Sequence, residues 1–188
     1  MKPPLLAVLL CVLPGVVAAG EVPVGFQGLP WGASPGTVTQ RFPAAACQPE
    51  PPGAPLADIV CWLEAITVSG VKTHGVRLSV YVTPTRPAAD GFSAYTLQFS
   101  PREFARMALA FRVRYGEPHQ RAAQKFTKRD GLHDTNLVLT WAWPTVEARM
   151  ERFAGRTDRS FLSVGTRAGR SEALRRIEAQ RQQRADGF

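Results

Sequence analysis

Beyond residue 19 the chain has no apolar run approaching the roughly 20 residues that a membrane-spanning helix requires, so no spanning helix is expected after the N-terminus. Cysteine and histidine are scarce, at three each in 188 residues, and neither a C-x-x-C pair nor a Cys/His cluster occurs. The spacing of a zinc site or a thiol redox site is therefore missing. There is no G-x-S-x-G elbow, since GFSAY at 91–95 lacks the closing glycine and leads into a strand. A phosphate-cradling loop is absent too: GLPWGASPGTVTQRFP at 28–43 spaces Gly28, Gly32 and Gly36 evenly, yet neither a lysine nor a long helix follows the last glycine. Acidic residues are in the minority, 15 against 23 Lys and Arg, which sets the formal net charge at +8. These absences give no motif for a cofactor or a metal, and none is expected.

The N-terminus carries the clearest positive signal. MKPPLLAVLLCVLPGVVAAGEVP places Lys2 before an apolar run of about a dozen residues, then Pro14-Gly15 and small residues, the order of a secretory signal peptide. Val17 and Ala19 suit the −3 and −1 positions, so cleavage is expected after Ala19 and the product is expected in the periplasm or secreted. Cys11 follows Leu10 where a lipidation site needs a small residue, so no lipid anchor is expected. Removal of the peptide leaves 169 residues, one domain by length, with a charge of +7 once Lys2 is gone. Expected partners of such a basic exported chain are anionic: an envelope protein with an acidic face, or an anionic lipid or lipopolysaccharide surface, and not nucleic acid. Cys47 and Cys61 remain in an oxidising compartment and are expected to pair, closing a loop of 14 residues that stabilises the fold by about 3 kcal/mol on the chain-entropy model.

The rest of the sequence has a repeated grammar. In 28–43, Ser34 can cap a helix whose first position is Pro35, with Val38 and Phe42 four apart on one face and Pro43 as the stop. The glycines are then loop conformers that deliver Trp31 to the core. Residues 99–118, FSPREFARMALAFRVRYGEP, repeat the pattern: Ser100 and Glu103 suggest a capping box, and Phe104, Met107, Ala108, Phe111 and Tyr115 form one apolar stripe before Gly116 and Pro118. Each helix precedes strand-like runs, 58–68, 75–84 and 92–100 after the first, 136–143, 145–154 and 160–166 after the second. Val76, Leu78, Val80 and Val82 alternate with polar neighbours, as do Val146, Ala148, Met150 and Arg152.

The fold expected from this pattern is α+β, a two-layer sandwich: an antiparallel sheet built from two helix-plus-three-strand units, about 28–100 and 100–166, with both helices on one face and the other face open. Residues 20–166 form the single domain and 167–188 a basic helical tail. Leu174 and Ile177 are the only large apolar residues of that tail before Phe188, so it is expected to fray in solvent. An alternative role for its arginines is to order on an anionic partner.

Candidates for catalysis are few: His74, His119, His133, Asp130, Asp134 and Glu64. His119 following a helix stop, and Asp130, His133 and Asp134 in a polar hairpin loop, each have a structural explanation. A hydrolase would need His119, His133 and an acid brought together. The Trp141-Ala142-Trp143 pair lies on one strand face, either filling the core or standing on the open face as binding anchors. Trp141, Trp143, Arg175, Arg176 and Arg181 are thus the candidate partner-binding residues, and no catalytic, cofactor or metal residue is assigned.

The GLPWGASPGTV opening, the later FSPREFARMALAFRVRYGEP and the strand at Thr140-Trp141 together resemble a broad group of small, uncharacterised bacterial exported proteins with a G-x-x-W-G-x-S start, over most of residues 25–166. That resemblance implies no catalytic residues. The duplicated outline is also similar to secreted protein inhibitors of β-lactamase and to small outer-membrane assembly lipoproteins, which implies an interaction role, although the lipobox cysteine of the latter is missing here. The function expected is a non-enzymatic envelope interaction protein that binds a protein partner through the open sheet face. The alternative is a small-ligand or lipid-binding module, with a concave apolar pocket lined by Trp141, Trp143 or Trp62.

Overall fold

The computed structural model describes residues 20–50, 57–82, 87–127, 131, 133–155 and 157–186. The expected signal peptide and Asp130 lie outside the described residues, as does the end of the tail at 187–188.

The chain is α+β and is dominated by one large antiparallel sheet. A short hairpin of β1 (Gly25–Phe26) and β2 (Leu29–Pro30) leads to α1 (Pro35–Arg41), then β3 (Ala46–Pro49), β4 (Ile59–Leu63), β5 (Thr67–Val68), β6 (Val71–Tyr81) and β7 (Gly91–Phe99). The second half runs α2 (Phe104–Tyr115), β8 (Gln120–Thr127), β9 (His133–Ala142), β10 (Val146–Glu151) and β11 (Ser160–Thr166), and α3 (Arg167–Asp186) follows. The spatial order is β3-β4-β6-β7-β11-β10-β9-β8, with β5 pairing off β6. Each half is therefore a helix followed by an antiparallel meander, and the last strands of the two meanders, β7 and β11, pair at the centre.

The first unit holds five strands, β3 to β7, and the second four, β8 to β11, where three each were expected; the edge strands β3 and β8 carry no alternating apolar pattern to mark them. Gln120 to Lys125 are all exposed. The run at 58–68 also divides, into β4 and β5. Cys47 and Cys61 face each other across β3 and β4 and form the disulfide, which fastens the first edge strand to its neighbour.

Local chemistry sets both helices. The Ser34 hydroxyl accepts from the Thr37 N–H at 3.2 Å, and Pro35 occupies the first turn. Ser100 caps a single 3-10 turn over Pro101–Glu103, accepting from the Arg102 N–H, and α2 begins only at Phe104. The expected capping box is replaced by this arrangement, in which Glu103 instead lies 3.7 Å from Arg106. Phe104, Met107, Ala108 and Phe111 are buried. Each large apolar side chain removed from water in this way stabilises the fold by about 1.5–3 kcal/mol.

The core fills one side of the sheet. Val38 of α1 and Met107 and Phe111 of α2 join Val76, Leu78, Tyr95, Leu97, Met150 and Leu162 in one continuous cluster. The stretch at 28–43 closes its edge: Trp31 stacks on Phe92 with ring centroids 5.0 Å apart and donates from Nε1 to the Pro23 carbonyl at 2.8 Å. Gly32 and Ala33 exchange backbone hydrogen bonds with Phe92, both 2.8 Å. Gly91 permits this docking, since a Cβ there would come within 2.3 Å of the Gly32 carbonyl.

The opposite side is not bare, in contrast to the open face expected from the sequence. Tyr81 alternates with the core residue Val80, and its hydroxyl donates to the Gly169 carbonyl of α3 at 3.3 Å. A Cβ on Gly169 would meet Ser93 at 2.7 Å, so α3 seats closely on β7. The expected solvated tail is thus a 20-residue helix whose first half is docked on the reverse face.

Candidate functional site

Alternate residues of the sheet that turn away from the core floor a cleft of about 490 Å³, and α3 forms one wall. Arg77, Ser79 and Tyr81 come from β6, Thr96 from β7, Ser163 from β11, Arg149 from β10 and Thr140 from β9. The floor is polar but not strongly charged. Thr96 and Ser163 hydroxyls lie 3.4 Å apart across neighbouring strands. Arg77 pairs with Glu50, Arg170 of α3 pairs with Glu147, and Arg149 donates to Glu151 at 2.6 Å. One Glu50 carboxylate oxygen is buried without a hydrogen-bond partner among the described residues. Ser163 and Arg149 are exposed, so the cleft is open to a visitor.

The wall is held by polar contacts instead of an apolar stripe. Arg176 donates to Asp58 Oδ1 at 2.6 Å and to Glu172 Oε1 at 2.8 Å, and its guanidinium carbon sits 4.8 Å from the centre of the Tyr81 ring. Arg175 also donates to Glu172 at 2.7 Å, which compensates the burial of a carboxylate only 2% exposed. Burial pushes the Tyr81 phenol up to about 12, with Arg176 working against that shift. Gly169, Glu172, Ala173 and Arg176 follow helical spacing, so one face of α3 meets the sheet.

The candidate partner-binding residues divide between the two sides. Trp141 and Trp143 are buried in the core, which removes them from the reverse face: β9 turns Trp141 toward α2, where it meets Phe111 edge-on at 4.8 Å and donates to the Gly116 carbonyl at 2.9 Å. Trp143 packs edge-on against Tyr115. Arg175 and Arg176 are committed to holding α3, whereas Arg181 is exposed further along it. Trp62, 39% exposed, is on the reverse face opposite Arg77. The floor residues Ser79, Tyr81, Thr96 and Ser163 were not singled out in the sequence, although they are the polar partners of the alternation that marked Val76, Leu78 and Val80.

The histidines do not assemble. His119 accepts from the Ala142 N–H at 3.1 Å just before β8, and His133 shares a hydrogen bond with Thr127 at the far end of the β8–β9 ladder. A strand of that length separates them by roughly 20–25 Å. His74 and Glu64 are exposed elsewhere. Among the described residues no group of three His, Cys, Asp or Glu side chains is placed to hold a metal ion, and no helix is long and apolar enough to cross a membrane.

A second cavity, of about 300 Å³, lies on the core side between the β1–β2 hairpin and α2. It is lined by Phe26, Tyr95, Phe111 and Tyr115 rather than by any tryptophan. The chain matches no family model, no curated protein and no solved structure.

Proposed function

We propose that the mature chain is an exported, non-enzymatic interaction protein that takes an acidic segment of a protein partner into the cleft between α3 and the reverse face of the sheet. The observation that carries this reading is the cleft itself, about 490 Å³ with a hydroxyl-rich floor and Arg170 of α3 on its wall. By sequence α3 carries Arg167, Arg170, Arg175, Arg176, Arg181 and Arg184 against Glu172, Glu178 and Asp186, a net positive charge on the helix that rims the cleft. Such a field steers an acidic partner and raises its rate of encounter, while Thr96, Ser163 and Thr140 offer hydrogen bonds to a polypeptide backbone. The disulfide suits an oxidising compartment, in agreement with an exported chain.

Photo-crosslinking from a benzoylphenylalanine at position 163 tests the reading in envelope extracts. One adduct of defined mass, saturable and competed by unlabelled protein, is expected from this site and not from position 113 on the outer side of α2. Its loss on Arg170→Glu with Arg181→Glu is the expected consequence of the basic rim. The same adducts from both positions, or none from 163, would refute it.

A further inference from the structure

The cavity on the core side has an unusual composition. Leu29, Leu97, Met107 and Leu162 give it apolar walls, but Tyr95, Tyr115 and Arg114 also reach it. Tyr95 is 5% exposed as a whole residue and lines the cavity wall. A phenol on such a wall can donate to or accept from whatever enters. The Tyr95 ring cannot swing out, because Phe26 lies 4.6 Å and Trp31 6.0 Å from it, centroid to centroid. The Arg114 guanidinium carbon lies 5.2 Å from the centre of the Tyr115 ring, and both residues line the cavity with Tyr95.

Two further features shape the edge of the cavity. Gln27 (φ 47°) and Ser69 (φ 49°) are the non-glycine residues with positive φ among the described residues, and both line this cavity, at the tips of the β1–β2 and β5–β6 turns. Each precedes a positive-φ glycine, Gly28 (φ 82°) and Gly70 (φ 77°), as a tight two-residue hairpin turn requires, so two rigid turns frame the cavity. Arg114 pairs with Glu21 at 3.2 Å, but both side chains are more than half exposed. A pair of that kind contributes little and is readily exchanged for another acid.

We propose that this cavity binds a small monocarboxylate with an apolar tail. Its carboxylate accepts from the hydroxyls of Tyr95 and Tyr115 and from the Arg114 guanidinium, and its tail fills the space among Phe26, Met107 and Phe111. At about 30 Å³ of condensed-phase volume per heavy atom, the 300 Å³ available accommodates about ten heavy atoms. A medium-chain alkanoic acid fits that space and a two-chain phospholipid does not. This site is independent of the reverse-face cleft, from which the sheet separates it.

Calorimetric titration of the full exported chain with octanoate, decanoate and 1-octanol, all below micelle-forming concentrations, tests the proposal. One saturable site is expected for the acids. Tyr95→Phe weakens alkanoate binding five- to tenfold, as expected for loss of a hydrogen bond to a charged group. Arg114→Gln weakens octanoate by about tenfold and leaves 1-octanol within twofold, a split that a purely structural role would not give. Ala110→Phe, at a half-buried lining position on α2, abolishes uptake of all three ligands while circular dichroism and melting report an intact fold. Should that variant fail to fold, the Tyr95→Phe and Arg114→Gln pair decides alone. No saturable uptake by the wild type, equal effects of Arg114→Gln on octanol and octanoate, or wild-type binding by a folded Ala110→Phe would overturn the assignment. So would pelleting with phosphatidylglycerol vesicles in the absence of alkanoate binding.

Discussion

Arg176 donates to Asp58 at 2.6 Å across a sequence separation of 118 residues, and this contact ties the last helix to the start of β4. Both side chains are less than a quarter exposed, so the pair is far better shielded than a surface bridge. Asp58 also accepts from the Val82 N–H at 2.8 Å, fixing the end of β6 in the same place.

Arg176→Ala is therefore expected to lower stability by about 2–3 kcal/mol, the range for hydrogen bonds to charged groups left with a buried partner. Urea unfolding measures the loss, and amide exchange along α3 should quicken before the sheet unfolds. An effect no larger than that of Arg181→Ala would mean that the helix is not held in this way.

Alkaline pH should weaken the fold. Tyr81 is raised from 10.0 to about 12, first by burial, and burial raises Tyr95 and Tyr115 as well. Above pH 10 the unfolded phenols ionise while the folded ones stay protonated, so the unfolded state binds fewer protons and stability falls. This contribution is complete below pH 10 and is lost as pH rises toward 12. Phenolate absorbance at 295 nm should accordingly appear late and together with unfolding, and an ordinary titration centred near pH 10 would contradict the burial of all three rings.

Much of this architecture was legible because it rests on apolar spacing. The stripe from Phe104 to Phe111, the alternation of Val76, Leu78 and Val80, the Ser34 cap and the pairing of two remaining cysteines all follow from local physical rules. Strand β8 was not legible, because residues 120–125 of this edge strand are exposed and present no apolar face to mark it. Nor was the docking of α3, since Gly169, Glu172 and Arg176 bind through close approach and paired charge and leave no trace in hydropathy. The cavity group of Tyr95, Arg114 and Tyr115 belongs to separate elements, and only packing brings it together. Trp141 on β9 and Trp143 just past its end are both buried in the core.

The tryptophans should report the two sides separately. Acrylamide should quench Trp62, which is 39% exposed, and leave Trp141, which is fully buried, unaffected. Trp141→Phe forfeits the bond to Gly116 and some packing, at a cost of about 1–2 kcal/mol by thermal melting. Loss of the quenchable emission in Trp141→Phe rather than in Trp62→Phe would reverse the assignment of faces.

Replacing Cys47 and Cys61 together by alanine should destabilise the chain by about 3 kcal/mol on the loop-entropy model. The same shift in the denaturant midpoint should follow from reduction of the wild type. Unaltered stability in both cases would show that β3 is fastened by its ladder alone.

The docking role of the reverse face is tested most directly by footprinting it in its own compartment. Cysteine placed at position 163 or 149 in the cleft, and at 113 on the outer side of α2, is labelled with a maleimide in the purified protein and in intact envelope extract. Occupation of the cleft predicts that labelling at 163 and 149 slows at least fivefold in the extract while 113 is unchanged; equal rates at all three positions in both settings would contradict it.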